Sequence, residues 1–85
     1  GPGGSTMSTV AVSLARAITT PAITGIEAEI IGFGKLASRA ELTAVGTKYP
    51  EQVLGVAEQF PRITDELPDL VAAAAEMEML NSSFI

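Results

Sequence analysis

Residues 49–80 read YPEQVLGVAEQFPRITDELPDLVAAAAEMEML, and this stretch decides the fold. Three times an apolar residue precedes a proline: Tyr49-Pro50, Phe60-Pro61 and Leu67-Pro68. Proline suits the first turn of a helix and is excluded from a helix interior, where it removes a hydrogen bond and clashes with the preceding turn. Between the prolines the apolar residues recur at helical spacing. Val53, Leu54, Ala57 and Phe60 form one inward stripe behind Pro50. Leu67, Leu70, Val71, Ala74, Met77 and Leu80 form the next, on a helix opened by Thr64-Asp65-Glu66 with Pro68 held in its first turn. The uneven spacing of the pairs makes them repeated punctuation, not a structural repeat. The residue before each proline is expected to staple onto the first turn that follows it.

The same reading extends toward the N-terminus. Ser38-Arg39-Ala40-Glu41 has the spacing of a capping box, so a short helix starts there, carries Leu42 and Val45, and stops near Gly46. Upstream, Thr20 is an expected N-cap with Pro21 at the first helical position. Ile23, Ile26, Ile30 and Phe33 make the stripe of that helix, and Gly32-Phe33-Gly34 ends it. Gly25 would weaken it and is best explained by close packing on a neighbour. Met7, Val10, Leu14 and Ala17-Ile18 fall on one helical face, with Ser8 or Thr9 as cap. Residues 8–14 also alternate well enough to be a strand. The expected fold is therefore all-α: a compact bundle of four to five short helices. Ile26, Ile30, Leu42, Val53, Phe60, Leu70 and Met77 are expected to share its core.

The chain has 85 residues, enough for one domain. Residues 1–6, Gly-Pro-Gly-Gly-Ser-Thr, read as an expression-tag remnant, leaving 7–85 as a single small helical domain that starts at Met7. Cysteine and histidine are both absent. No disulfide can staple the fold, and the commonest general base and metal ligand are missing. Ten acids face five bases, a net charge of −5. The acids concentrate late: residues 51–85 hold seven of them against Arg62 alone. With no cluster of lysines and arginines, nucleic acid is not an expected partner. The apolar run from Val10 to Phe33 is broken by Arg16, Pro21, Glu27 and Glu29, so no transmembrane segment is expected. Without cysteine or a signal peptide the expected location is cytoplasmic.

Candidate chemistries fail on spacing. Gly32-Phe33-Gly34-Lys35 lacks the earlier glycine and the following Ser or Thr of a phosphate loop. Glu27/Glu29 and Glu76/Glu78 are two apart and diverge on a helix. Asp65, Glu66 and Asp69 cluster where a helix starts, which the helix dipole explains without a metal. No His or Cys is available to activate a serine or threonine. The expectation is a protein that is not an enzyme and uses no cofactor or metal.

Two features remain. Ala72-Ala73-Ala74-Ala75 circles the last helix with small side chains, which permits close approach of a neighbouring helix or subunit. Ser83-Phe84-Ile85 places a hydroxyl residue two before an apolar last residue, a pattern that can add to a sheet edge or fold back onto the core. The expected function is a non-catalytic protein-interaction module or adaptor that associates with a protein partner, itself included. Leu70, Ala74, Met77, Phe84 and Ile85 are the expected partner-binding residues. In size, in its Phe60-Pro61 punctuation and in its Ala-rich acidic end the chain loosely resembles small helical assembly chaperones of tailed phages. That resemblance implies an assembly or structural accessory role. A docking or precursor domain of a biosynthetic system is a further alternative.

Overall fold

A computed structural model describes residues 7–20 and 23–83. They form six helices: α1 (Thr9–Thr19), α2 (Glu27–Leu36), α3 (Arg39–Lys48), α4 (Pro50–Gln59), α5 (Arg62–Glu66) and α6 (Pro68–Ser82). The fold is an all-α bundle with no strand among the described residues, and residues 9–19 are helix. The Cα radius of gyration is 12.3 Å, against about 12 Å expected of a compact chain this long. The sixth helix arises at Leu67-Pro68. Pro68 does not sit inside one helix opened by Thr64; it divides that segment into α5 and α6.

The division follows from pre-proline sterics. The ring of a proline clashes with an αR residue before it and drives that residue toward extended backbone. Thr20, Tyr49, Phe60 and Leu67 each precede a proline and share nearly one conformation, φ −127° to −130° with ψ 57° to 86°. In each the amide still completes the helix behind it. Thr20 N–H donates to Arg16 O, Tyr49 to Val45, Phe60 to Val56 and Leu67 to Ile63, at 2.8–3.0 Å. At Tyr49 and Leu67 one residue thus closes a helix while the proline after it opens the next, and the chain turns sharply without a loop.

Capping marks the other ends. The Ser8 hydroxyl accepts from Ala11 N–H to open α1. The Ser38 hydroxyl accepts from Glu41 N–H at 3.1 Å while the Glu41 carboxylate accepts from Ser38 N–H at 2.8 Å, the expected capping box. Such caps are worth about 1 kcal/mol each.

The second helix departs from expectation. Thr20 closes α1 instead of opening α2, and its hydroxyl donates back to Arg16 O. Pro21 lies outside the described residues. Helix α2 begins only at Glu27, after Ile26 as an extended N-cap, so Gly25 is not helical. Ile23 is 82% and Ile26 60% exposed, and Ile26 is not in the core. Nor do the glycines stop helices: α2 runs through Gly32 and Gly34 to Leu36, and α3 runs through Gly46 to Lys48.

Two of these internal glycines, Gly34 and Gly46, serve packing. A Cβ on Gly34 would meet Leu67 Cδ2 at 2.6 Å. A Cβ on Gly46 would run into the Leu70 carbonyl oxygen and stand 2.9 Å from Ala73 Cβ. Close approach belongs to Gly34 and Gly46, which let α2 and α3 press onto the α5–α6 segment. Helix α6 packs chiefly on α3 and then on α4, while α1 packs on α2, α3 and α4. The core holds Leu14, Ile18, Ile30, Val45, Val53, Ile63, Leu67 and Leu70, all at most 2% exposed. Fully burying such a side chain contributes about 1.5–3 kcal/mol. Phe60 packs on the core from its edge, and Met77 is half-buried, so neither belongs to the fully buried set.

Candidate functional site

Helix α6 places the expected partner-binding residues in three different situations. Leu70 and Ala74 are 0% exposed, facing inward among the core residues, and are not available to a partner. They belong to the inward stripe that the helical spacing identifies, and α3 and α4 cover it. Met77 is half-buried one turn further on. Phe84 and Ile85 lie outside the described residues.

Beyond Ala74 no residue of α6 is buried, yet the helix continues for two more turns to Ser82. Its end is well made. The Ser82 hydroxyl donates to Glu78 O at 3.0 Å, and the Ser83 hydroxyl to Leu80 O at 2.8 Å, while Ser83 N–H donates to Met79 O and Leu80 O. Met79 is 73% and Leu80 51% exposed on this projecting segment. Between it and α4 lies an open groove of about 530 Å³. Leu54, Ala75 and Met79 are its apolar lining; Glu78, Ser82 and Ser83 are its polar lining. Met79 lies off the helical stripe that marks the core face of α6. Ala72, Ala75, Met79 and Ser82 follow one another by three or four positions, on a face away from the Leu70–Ala74–Met77 stripe. An apolar Met on that outer face is the signal that could have found the groove.

A second hollow, about 350 Å³, lies between α1 and the α3–α4 corner, and Met7, Val12, Arg16, Thr20, Lys48 and Tyr49 contribute to its lining. Lys48 Nζ stands 5.6 Å from the centre of the Tyr49 ring, within cation–π range. Arg16 and Lys48 each lie in the last turn of a helix, where a cation offsets the negative end of the dipole.

Charge elsewhere is used to hold helices together. Lys35 Nζ is 2.7 Å from Glu66. Arg62 reaches both Glu66 at 3.7 Å and Glu27 at 3.8 Å, so four charges span α2 and α5. Arg39 is 3.6 Å from Asp69. The Lys35 ammonium, hydrogen-bonded to Glu66, and then its charge and that of Arg62 hold the Glu66 carboxyl below the ordinary carboxylate range. The Ser38 N–H, followed by the Ser8 hydroxyl, does the same for Glu41. The acids at 65, 66 and 69 do not share one helix start: Asp65 and Glu66 are in α5, and Asp69 is in the first turn of α6. Among the described residues Arg16 and Lys48 have no ion-pair partner, whereas the other three cations do.

Among the described residues no three His, Cys, Asp or Glu side chains gather to hold a metal ion, and no helix is long and apolar enough to cross a membrane. Comparison with family models, curated proteins and solved structures finds no match for the chain.

Proposed function

We propose that the protein is a non-catalytic interaction module, an adaptor that receives a protein partner, a second copy of itself included, on the projecting half of α6. The observation that carries this reading is the exposure of Met79 and Leu80 beyond the point where the core ends. A helix needed only to close the bundle could stop after Ala74 or continue with polar residues. This one continues with Met79, which lines an open groove together with Glu78, Ser82 and Ser83, and with Leu80, also exposed. An apolar centre with a polar rim is the anatomy of protein interfaces. Exposed apolar patches of this kind mark binding faces. Methionine suits such a face, because its unbranched polarizable side chain adapts to the surface it meets. Without His or Cys in the chain, the groove lacks the side chains that most often activate a nucleophile. The cysteine-free chain is assigned to the cytoplasm, where folds do without disulfides.

The test is binding by the full chain and by the double variant Met79→Glu/Leu80→Glu, each checked for helical circular dichroism. Chemical crosslinking in native lysate and in pure protein should give a specific adduct with the wild type, and the double variant should lose it. An adduct of equal yield from the double variant, or no adduct from the wild type even with itself, overturns the proposal.

A further inference from the structure

The reading of α6 as a docking face leaves open what docks there, and two surfaces of the same molecule answer each other. The projecting half of α6 carries Met79 and Leu80 with Glu76 and Glu78 between and beside them, and among the described residues neither glutamate has an ion-pair partner. The hollow beside α1 has the opposite character. It holds Arg16 and Lys48, the two cations that no described carboxylate pairs, next to Val12, which is 42% exposed, and the Tyr49 ring. In a chain of net charge −5 this is where positive charge remains unspent.

We infer that the α6 end of one molecule docks into the α1 hollow of a second copy, so that the protein self-associates head to tail. This inference rests on the reading of the α6 face as a binding surface and adds its occupant. Charge chooses between the two symmetries open to a homo-oligomer. A two-fold contact of α6 against α6 through Met79 and Leu80 would bring Glu76, which lies between them on the helix face, toward its own copy, with no cation of that segment to separate the two. A head-to-tail contact sets Glu76 against Arg16 and Lys48 and lays Met79 and Leu80 on Val12 and Tyr49. Like charges across an interface disfavour a pairing, and complementary ones fix its register.

The topology lets one molecule use both surfaces at once. Helices α1 and α6 each pack on α3 and α4, which lie between them. A molecule whose α6 is engaged therefore still offers its hollow. Heterologous contacts of this kind do not stop at two copies; they grow until a ring closes or continue as a filament. A chain this small and without cysteine gains by the added burial.

Two double variants at exposed positions separate the partners of the contact. Arg16→Ala/Lys48→Ala disables the hollow, and Met79→Ala/Leu80→Ala disables the α6 end. Sedimentation equilibrium of the full chain from micromolar to millimolar concentration should show the wild type rising past twice its 8.8 kDa protomer mass. Each variant alone should keep the protomer mass. An equimolar mixture of the two should reach twice that mass and go no further, because one intact hollow meets one intact α6 end and the remaining surfaces are both disabled. Raising salt toward 1 M, where charges are screened beyond about 3 Å, should weaken the wild-type association. A hollow variant that associates like the wild type, or a mixture that stays at the protomer mass, overturns the head-to-tail contact. A wild type of protomer mass throughout also overturns it; the binding role of α6 then stands or falls on whether crosslinking finds a different protein on Met79 and Leu80.

Discussion

The two halves of α6 differ more than their composition suggests. Both carry apolar residues, Leu70, Val71 and three alanines in the first and Met77, Met79 and Leu80 in the second. The first half, from Pro68 to Ala74, is seated: Leu70 and Ala74 are 0% exposed, and α3 approaches so closely that Gly46 has no room for a Cβ. The second half, from Ala75 to Ser82, buries no residue and exposes Met79 and Leu80. Hydrophobicity alone does not set burial. What separates the halves is the shape of the neighbour, a glycine and small side chains facing the first half and an open groove beside the second. Stability therefore resides in one half of the helix, while the proposed function resides in the other.

The sharpest way to break this contrast is to truncate a leucine in each half. Leu70→Ala should cost about 2–5 kcal/mol, the range for a fully buried leucine whose site relaxes only in part. A domain's whole stability is only about 5–15 kcal/mol, so that loss populates the unfolded state appreciably. Leu80→Ala, half-exposed on the same helix, should shift the urea midpoint far less. Equal losses at the two positions would show that the distal half is seated after all.

Glycines sharpen the same contrast at smaller amplitude. Gly46→Ala should destabilise by about 1–3 kcal/mol, because the added methyl meets the Leu70 carbonyl and Ala73 instead of a movable side-chain end. Gly55, in the exposed face of α4, has nothing within 4 Å of where its Cβ would stand. Gly55→Ala should stabilise by about 0.4–1 kcal/mol through the restricted unfolded chain. Thermal melts of both variants read this directly. A neutral Gly46→Ala would mean that α3 and α6 can part without cost, and the seated half would lose its defining feature.

How far the sequence made this architecture legible depends on the kind of signal. The prolines at 50 and 61 and the Ser38–Glu41 box located helix ends, since each acts within one turn of itself. Ile30, Leu42, Val53 and Leu70 were readable as core from helical spacing. The pre-proline break at Leu67 was harder. Helical spacing runs straight through it, from Ile63 to Leu67 to Leu70, and only the backbone clash of Pro68 splits the segment. Ile23 and Ile26 look like core by composition but precede the helix that would turn them inward. Gly34 and Gly46 read as helix stops, because their role depends on Leu67 and Leu70, more than twenty residues away in sequence. At the candidate site the Leu70–Ala74–Met77 stripe was legible, but a stripe identifies the face that the protein covers itself. The outward face with Met79, and the meeting of Arg16 with Lys48, are set by tertiary placement.

Charge distinguishes the halves too, by a smaller effect. The seated end is flanked by Lys35–Glu66 and Arg39–Asp69, whereas Glu76 and Glu78 have no partner among the described residues. Glu66 has its carboxyl lowered in the folded protein, by the Lys35 hydrogen bond first. Such a group binds protons more weakly folded than unfolded. Its contribution is therefore present above the ordinary glutamate value of about 4.3 and is lost as pH falls through the lower folded value. Lys35→Met should remove most of that contribution. The urea midpoint of the variant should then fall less between neutral and acidic pH than that of the wild type. Parallel pH profiles would show that the pair gives nothing, as many exposed pairs do.

The smallest expected effect on stability tests the projecting half most directly. Met79 is 73% exposed and stands where α6 has no neighbour to lose. Met79→Gln keeps the length and unbranched shape of the side chain and replaces its apolar end with an amide. Glutamine is nearly as good a helix former as methionine, so propensity hardly changes. A surface substitution away from caps, cores and networks stays within about 0.5 kcal/mol. The urea midpoint and the helical circular dichroism should therefore match the wild type. Binding should not. At an interface the amide must be desolvated without an assured partner, and an unpaired buried polar group costs about 1–3 kcal/mol. The association constant for whatever docks on α6 should fall by roughly 5- to 150-fold on that scale, while the fold is unchanged. A variant that is both as stable and as strongly associating as the wild type would take Met79 out of the contact. One that loses stability and association together would place Met79 in the structural half of the helix, and the boundary at Ala74 would have to move.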